Sequence, residues 1–181
     1  MSAVPEPKKI TAEEYLRIAE TRDDRTELLD GEIVMMGSPN TGHQRIVRNV
    51  GFEIHSHIRR SNGQCEVFLS PYDVLLDEEN VVQPDVLVVC DPSKIDGKRC
   101  NGAPDWVIEV TSTNRIKDFT LKLWLYQRSG VREYWILDSK YERVHVFFFE
   151  DDQSPEIYDF QTPIPVRIYD GKLSIRIADL M

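Results

Sequence analysis

The strongest constraint on this chain is a carboxylate set inside an apolar, strand-like run, Trp106-Val107-Ile108-Glu109-Val110. A run apolar on both sides of Glu109 reads as a central strand buried on both faces. An ionised carboxylate there needs a cation, a metal or hydrogen bonds to offset its desolvation. Asp85 is comparable, because Pro84-Asp85 leads directly into Val86-Leu87-Val88-Val89, a second core-strand candidate. Two such strands side by side would bring both carboxylates to one point. Hard oxygen ligands that leave water positions open suit magnesium or manganese, ions that activate water and stabilise charge on a phosphate.

A lysine supplies the third element. Lys122 lies in Phe119-Thr120-Leu121-Lys122-Leu123-Trp124-Leu125-Tyr126, where nearly all its helical neighbours are apolar. It follows Glu109 by a short loop and about one helical turn, so it can swing back over the end of the Glu109 strand. An ammonium there can orient a water or offset transition-state charge.

The rest of the chain reads as alternating short strands and helices. Thr11, with Glu14 three residues on, predicts a capped helix to Glu20. Asp30-Gly31 splits two apolar runs and predicts a hairpin with Glu27 on its first strand. Ile46, Val50, Ile54 and Ile58 recur every four residues, a helical stripe that should face a sheet. Strands are expected at Glu66–Leu76 (broken at Pro71), Val81–Cys90, Trp106–Val110, Tyr134–Leu137, Val144–Phe149 and Ile157–Phe160. Two more, Val166–Tyr169 and Leu173–Ile177, flank a second Asp-Gly pair, Asp170-Gly171. Asp91–Gly102 reads as a loop, and Lys117–Ser129 as a helix stopped by Gly130.

With 181 residues and 41% hydrophobic content, the expectation is one α/β (α+β) domain spanning 1–181. No apolar run approaches the roughly 18 residues that span a bilayer. The segment with Pro5, Glu6, Pro7, Lys8 and Lys9 lacks the apolar stretch of a secretory signal, so a cytoplasmic location is expected. Cys65, Cys90 and Cys100 form an odd set without C-x-x-C spacing, which argues against a disulfide framework and a cysteine zinc site and leaves reduced thiols as the expectation. His55 and His57, two apart on a helix, point to different faces and do not form a zinc pair. The net charge of -9 means that any nucleic-acid contact must use a local basic patch.

The residues in order carry a family resemblance. Glu27-Leu28-Leu29-Asp30-Gly31-Glu32-Ile33 is followed by His43 opening a helix, Pro84-Asp85-Val86, and Pro104-Asp105-Trp106-Val107-Ile108-Glu109-Val110. Asp118 with Lys122, Tyr126, and Gly130-Val131-Arg132-Glu133-Tyr134-Trp135 complete the series. From about Tyr15 to about Phe149 the chain resembles the Uma-type family of putative restriction endonucleases, within the PD-(D/E)XK nuclease superfamily. That resemblance implies a restriction-endonuclease-like core, a mixed sheet flanked by helices, with Asp85 and Glu109 as metal ligands. It also implies Glu27 as an additional acidic site residue, DNA as substrate, and a homodimer that pairs two sites. The superfamily's usual lysine two positions after Glu109 is here Thr111, which makes Lys122 the candidate replacement.

Each residue also has a structural reading. Asp85 can be a turn aspartate after proline, Glu109 a salt-bridge partner, and Lys122 a lysine snorkelling to solvent. Glu27 can anchor the Asp30-Gly31 hairpin, His43 can cap or pack, and Arg59-Arg60 can complement a helix dipole. Two functions of different class therefore stand beside each other: a metal-dependent DNA endonuclease, and a non-catalytic interaction module that keeps the nuclease fold. The net charge and Thr111 favour the second. Hydrolysis of another phosphate ester is a third.

Overall fold

The computed structural model describes residues 9–111, 115–151 and 155–181. Pro5, Glu6, Pro7 and Lys8 lie outside these. At the head of α1 (Ala12–Ala19) the Thr11 side chain accepts from the Glu14 amide, and the Glu14 carboxylate accepts from the Thr11 amide. Asp30 and Gly31 take φ of 50° and 75° and turn β1 (Thr26–Leu29) into β2 (Glu32–Met35), the left-handed pair that a tight hairpin needs.

Two sheets follow. One has the order β2-β1-β5-β4-β7, with β4 Val74–Asp77, β5 Asn80–Val82 and β7 Cys100–Asn101. The central sheet has the order β11-β10-β9-β8-β6-β3. Its strands are β3 (Glu66–Leu69), β6 (Val86–Val89), β8 (Trp106–Val110), β9 (Glu133–Asp138), β10 (Arg143–Phe148) and β11 (Glu156–Asp159). β8 and β9 are parallel, and the connection between them carries α3 (Arg115–Lys117), a π-helical segment (Asp118–Lys122) and α4 (Leu123–Ser129). Gly130, at φ 92°, ends α4 in the left-handed conformation.

Side chains alternate between two cores across the central sheet. On one face, Ile46, Val50, Ile54 and Ile58 of α2 (Thr41–Arg60) pack with Trp106, Ile108 and Val110, and Trp135 meets Trp106 edge-on at 4.9 Å. Burying a side chain such as Ile54 contributes roughly 1.5–3 kcal/mol. On the other face Val107 and Ile136 pack with Leu125 and Tyr126 of α4 and with Leu29 and Val82 of the smaller sheet. α1 covers the far side of that sheet through Tyr15, Leu28 and Val81.

Five sequence expectations are corrected, the first being Val81–Cys90, which divides at Gln83-Pro84-Asp85 into β5 of the smaller sheet and β6 of the central sheet. Lys117–Ser129 is not one regular helix, because Asp118–Lys122 widens into π-helical turns. Val166–Tyr169 is not a strand. Arg167–Tyr169 forms a 3-10 turn whose Ile168 amide donates to the Glu133 carboxylate, and the pairing strands are β12 (Ile164–Pro165) and β13 (Ser174–Ile175). The Asp91–Gly102 loop contains a 3-10 turn and β7. Cys65 and Cys90 are joined by a disulfide: β3 and β6 are antiparallel with Glu66 opposite Val89, so the next residues outward face each other. Cys100 is free and buried.

Candidate functional site

Strand register assembles the site. β6 and β8 are antiparallel with Val86 opposite Ile108, so Asp85 and Glu109 come together one step further along. Asp85 accepts the Val110 amide on Oδ2 at 2.8 Å, and the same oxygen pairs with His43 Nε2 at 3.0 Å. His43 belongs to the first turn of α2, where Asn40 caps the helix, so the head of α2 reaches this end of the sheet.

Glu109 shares the face of Val107. Its Oε1 accepts from Lys122 Nζ at 2.8 Å and from the Tyr126 hydroxyl at 2.8 Å. Glu27 arrives from the smaller sheet, where alternation along β1 turns Glu27 and Leu29 toward the central sheet and Leu28 toward α1. Glu27 Oε1 lies 2.9 Å from Lys122 Nζ and accepts the Gln83 amide at 3.0 Å, while Oε2 lies 3.2 Å from Lys117 Nζ. All four sequence candidates, Glu27, Asp85, Glu109 and Lys122, therefore meet at one end of the central sheet. Lys122 does not snorkel; its side chain is 5% exposed and spans two carboxylates.

Charge within this cluster is finely divided. Burial works against the Lys122 ammonium, but the charges of Glu109, Glu27 and Asp118 outweigh it and raise its pKa well above the ordinary value. Burial likewise pushes Glu27 up, yet Lys122 and Lys117 overcome it and hold Glu27 below the usual carboxylate range. Glu109 goes the other way. Burial pushes it up to about 8 against the pull of Lys122, and Asp85, Asp118 and Glu27 add to the rise. Asp118 is pushed up to about 6, again by burial first. For His43, burial lowers the pKa, but the hydrogen bond and charge of Asp85 more than reverse this. Four carboxylates thus face two lysines and His43, and the rise at Glu109 and Asp118 means that their joint ionisation would be favoured by a further cation.

Lys117 is the site residue that spacing arguments miss. Five residues along an α-helix amount to a rotation of about 140°, which would send Lys117 and Lys122 to different faces. The π-helical turn brings both to Glu27, and π-helical insertions are frequent at functional sites. Tyr126 and His43 stood in the family series, but their contacts with Glu109 and Asp85 span 17 and 42 residues and leave no local pattern.

Among the described residues, no three His, Cys, Asp or Glu side chains form a ready metal cage. The donors present still fit magnesium or manganese: Asp85 and Glu109 each engage one oxygen with the protein, and neither Asp85 Oδ1 nor Glu109 Oε2 accepts a hydrogen bond from another described residue. Magnesium is commonly held by one or two carboxylates, with waters and substrate oxygens completing its shell. No described helix is long and apolar enough to cross a membrane.

Known proteins share this architecture. A crystal structure titled as that of a putative nuclease belonging to DUF820, from Anabaena variabilis, superposes with a TM-score of 0.79 over 94% of this chain and 97% of that one, at 23% identity. The fold is accordingly the α/β restriction-endonuclease-like one. Two uncharacterized proteins of Synechocystis sp. are similar in sequence. The protein slr1290 is 27% identical over 84% of this chain and 81% of its own length, and sll1609 is 28% identical over 80% and 83%. Residues 12–174 match the model of the Uma2 family, described as "Putative restriction endonuclease". With the match running from the first helix to the last strand, the chain belongs to the Uma2 family.

Proposed function

We propose that the chain is a metal-dependent endonuclease that hydrolyses phosphodiester bonds in DNA, with Asp85 and Glu109 as ligands of a magnesium or manganese ion. One observation carries this reading: Asp85 and Glu109 are paired by strand register, and Lys122 and Glu27 stand beside them in one buried cluster of carboxylates and lysine. Membership of the Uma2 family supports it. When bound, the ion would activate a water and offset charge developing on the phosphate. The Val110 amide and His43 hold Asp85 by Oδ2, which keeps Oδ1 for ligation. Tyr126 and Lys122 fix Glu109 by Oε1. Lys122, kept charged by Glu27 and Glu109, supplies a positive charge that need not reorganise during the reaction. A homodimer would present two such sites to opposite strands, and sedimentation velocity measures that state.

A non-catalytic interaction module remains the competing reading, favoured by the net charge of -9 and by Thr111 in the usual lysine position. Calorimetric titration with magnesium separates the two. Binding heat in the wild type that disappears in Asp85→Ala supports the metal site. Equal heats, or none in either protein, would remove the basis of the proposed mechanism.

A further inference from the structure

The chain is acidic overall, yet its longest described helix is not. α2 carries Arg45, Arg48, Arg59 and Arg60 against a single acid, Glu53. At about 100° per residue, Arg45, Arg48, Phe52 and Arg59 fall within a sector of about 60°, opposite the buried stripe of Ile46, Val50, Ile54 and Ile58. All three arginines in that sector are exposed, and Phe52 is 66% exposed.

Their grouping sets these arginines apart, since Arg25, Arg99 and Arg143 also form no ion pair among the described residues but lie on separate segments. Elsewhere Arg22 is matched by Asp24, Arg128 by Asp77, Arg132 by Glu150 and Arg167 by Asp151. Among the described residues, Arg45, Arg48, Arg59 and Arg60 form no ion pair; Arg48 only donates to the neutral Asn49 side chain. The N-terminus of α2 lies beside the candidate site, because His43 in its first turn contacts Asp85, although at about 100° per residue His43 projects from the buried face, about 160° from Arg45. From His43 to Arg59 the helix rises about 24 Å, the length of about seven base pairs of duplex.

We infer that the outer face of α2 is a track that holds the phosphate backbone of DNA. This rests on the proposed endonuclease reading and adds the surface that overcomes the chain's net negative charge. The arginines meet phosphates without reading sequence, and Phe52 offers a platform to a sugar or an unstacked base. The electrostatic signature is specific, because each phosphate neutralised contributes about 0.9 to the slope of log affinity against log salt.

The test measures binding of a labelled DNA duplex by fluorescence anisotropy across a salt series, with calcium replacing magnesium. Three proteins are compared: the wild type, the triple variant Arg45→Gln, Arg48→Gln, Arg59→Gln, and a control triple, Arg17→Gln, Lys98→Gln, Lys172→Gln, that removes the same charge elsewhere. The α2 variant should bind at least about ten-fold more weakly, with its salt slope reduced by about 2–3, while its magnesium binding and thermal unfolding match the wild type. The control should stay within about two-fold. Wild-type binding that the α2 variant retains, or that both variants lose equally, overturns the track and leaves the endonuclease reading standing. A wild type that ignores DNA at every salt concentration overturns both.

Discussion

The central sheet buries one glutamate on each face, and the two are held in opposite ways. Glu133, on the face packed by α2, is fully buried, and N–H donors satisfy both its oxygens: the Trp135 indole at 2.7 Å and the Ile168 amide at 2.8 Å. Glu109, on the other face, gives one oxygen to Lys122 and Tyr126 and sits among three further carboxylates. Burial raises both pKa values. Burial alone therefore does not mark a functional carboxylate. What separates the pair is saturation: Glu133 has spent its acceptors on folding, whereas Glu109 keeps Oε2 and a charged neighbourhood.

That contrast can be broken from the charged side first. Lys122→Met leaves Glu27 and Glu109 buried without their shared cation and should cost about 3–5 kcal/mol in urea unfolding. Adding Glu109→Gln should recover part of the loss, because one uncompensated charge is then gone. From the neutral side, Glu133→Gln preserves shape but turns an NH2 group toward one of two N–H donors. It should cost about 1–3 kcal/mol while leaving magnesium binding unchanged.

The smallest effect is one of pH. Burial, outweighing the Ile168 and Trp135 hydrogen bonds, holds the Glu133 pKa above its ordinary 4.5. A raised folded-state pKa means that this group's stability contribution is full below about pH 4.5 and is lost as pH rises through the folded value. The stability gap between wild type and Glu133→Gln should be widest near pH 4 and narrow toward neutrality. A gap that widens with pH would show that Glu133 is stabilised as the anion instead.

How much of this was legible in sequence depended on the range of the interaction. The Asp30-Gly31 hairpin and the Thr11–Glu14 cap rest on residues within three positions of each other, and both formed as expected. Glu109 and Asp85 were conspicuous because a charge in an apolar run conflicts with its surroundings. Contacts set by register were not legible. Cys65 and Cys90 lie 25 residues apart and meet only because β3 and β6 are antiparallel neighbours. Lys117 required a change of helical phase that no residue spacing announces. The 3-10 turn at Arg167–Tyr169 is tied to a carboxylate 35 residues earlier.

The most direct test is cleavage of supercoiled plasmid with magnesium or manganese by three proteins: wild type, Glu109→Gln and Glu133→Gln. Metal-dependent nicking by the wild type should fall by about 100-fold or more in Glu109→Gln and stay within a few-fold in Glu133→Gln. Equal nicking by all three proteins, or nicking lost only in Glu133→Gln, would contradict the assignment of the active face.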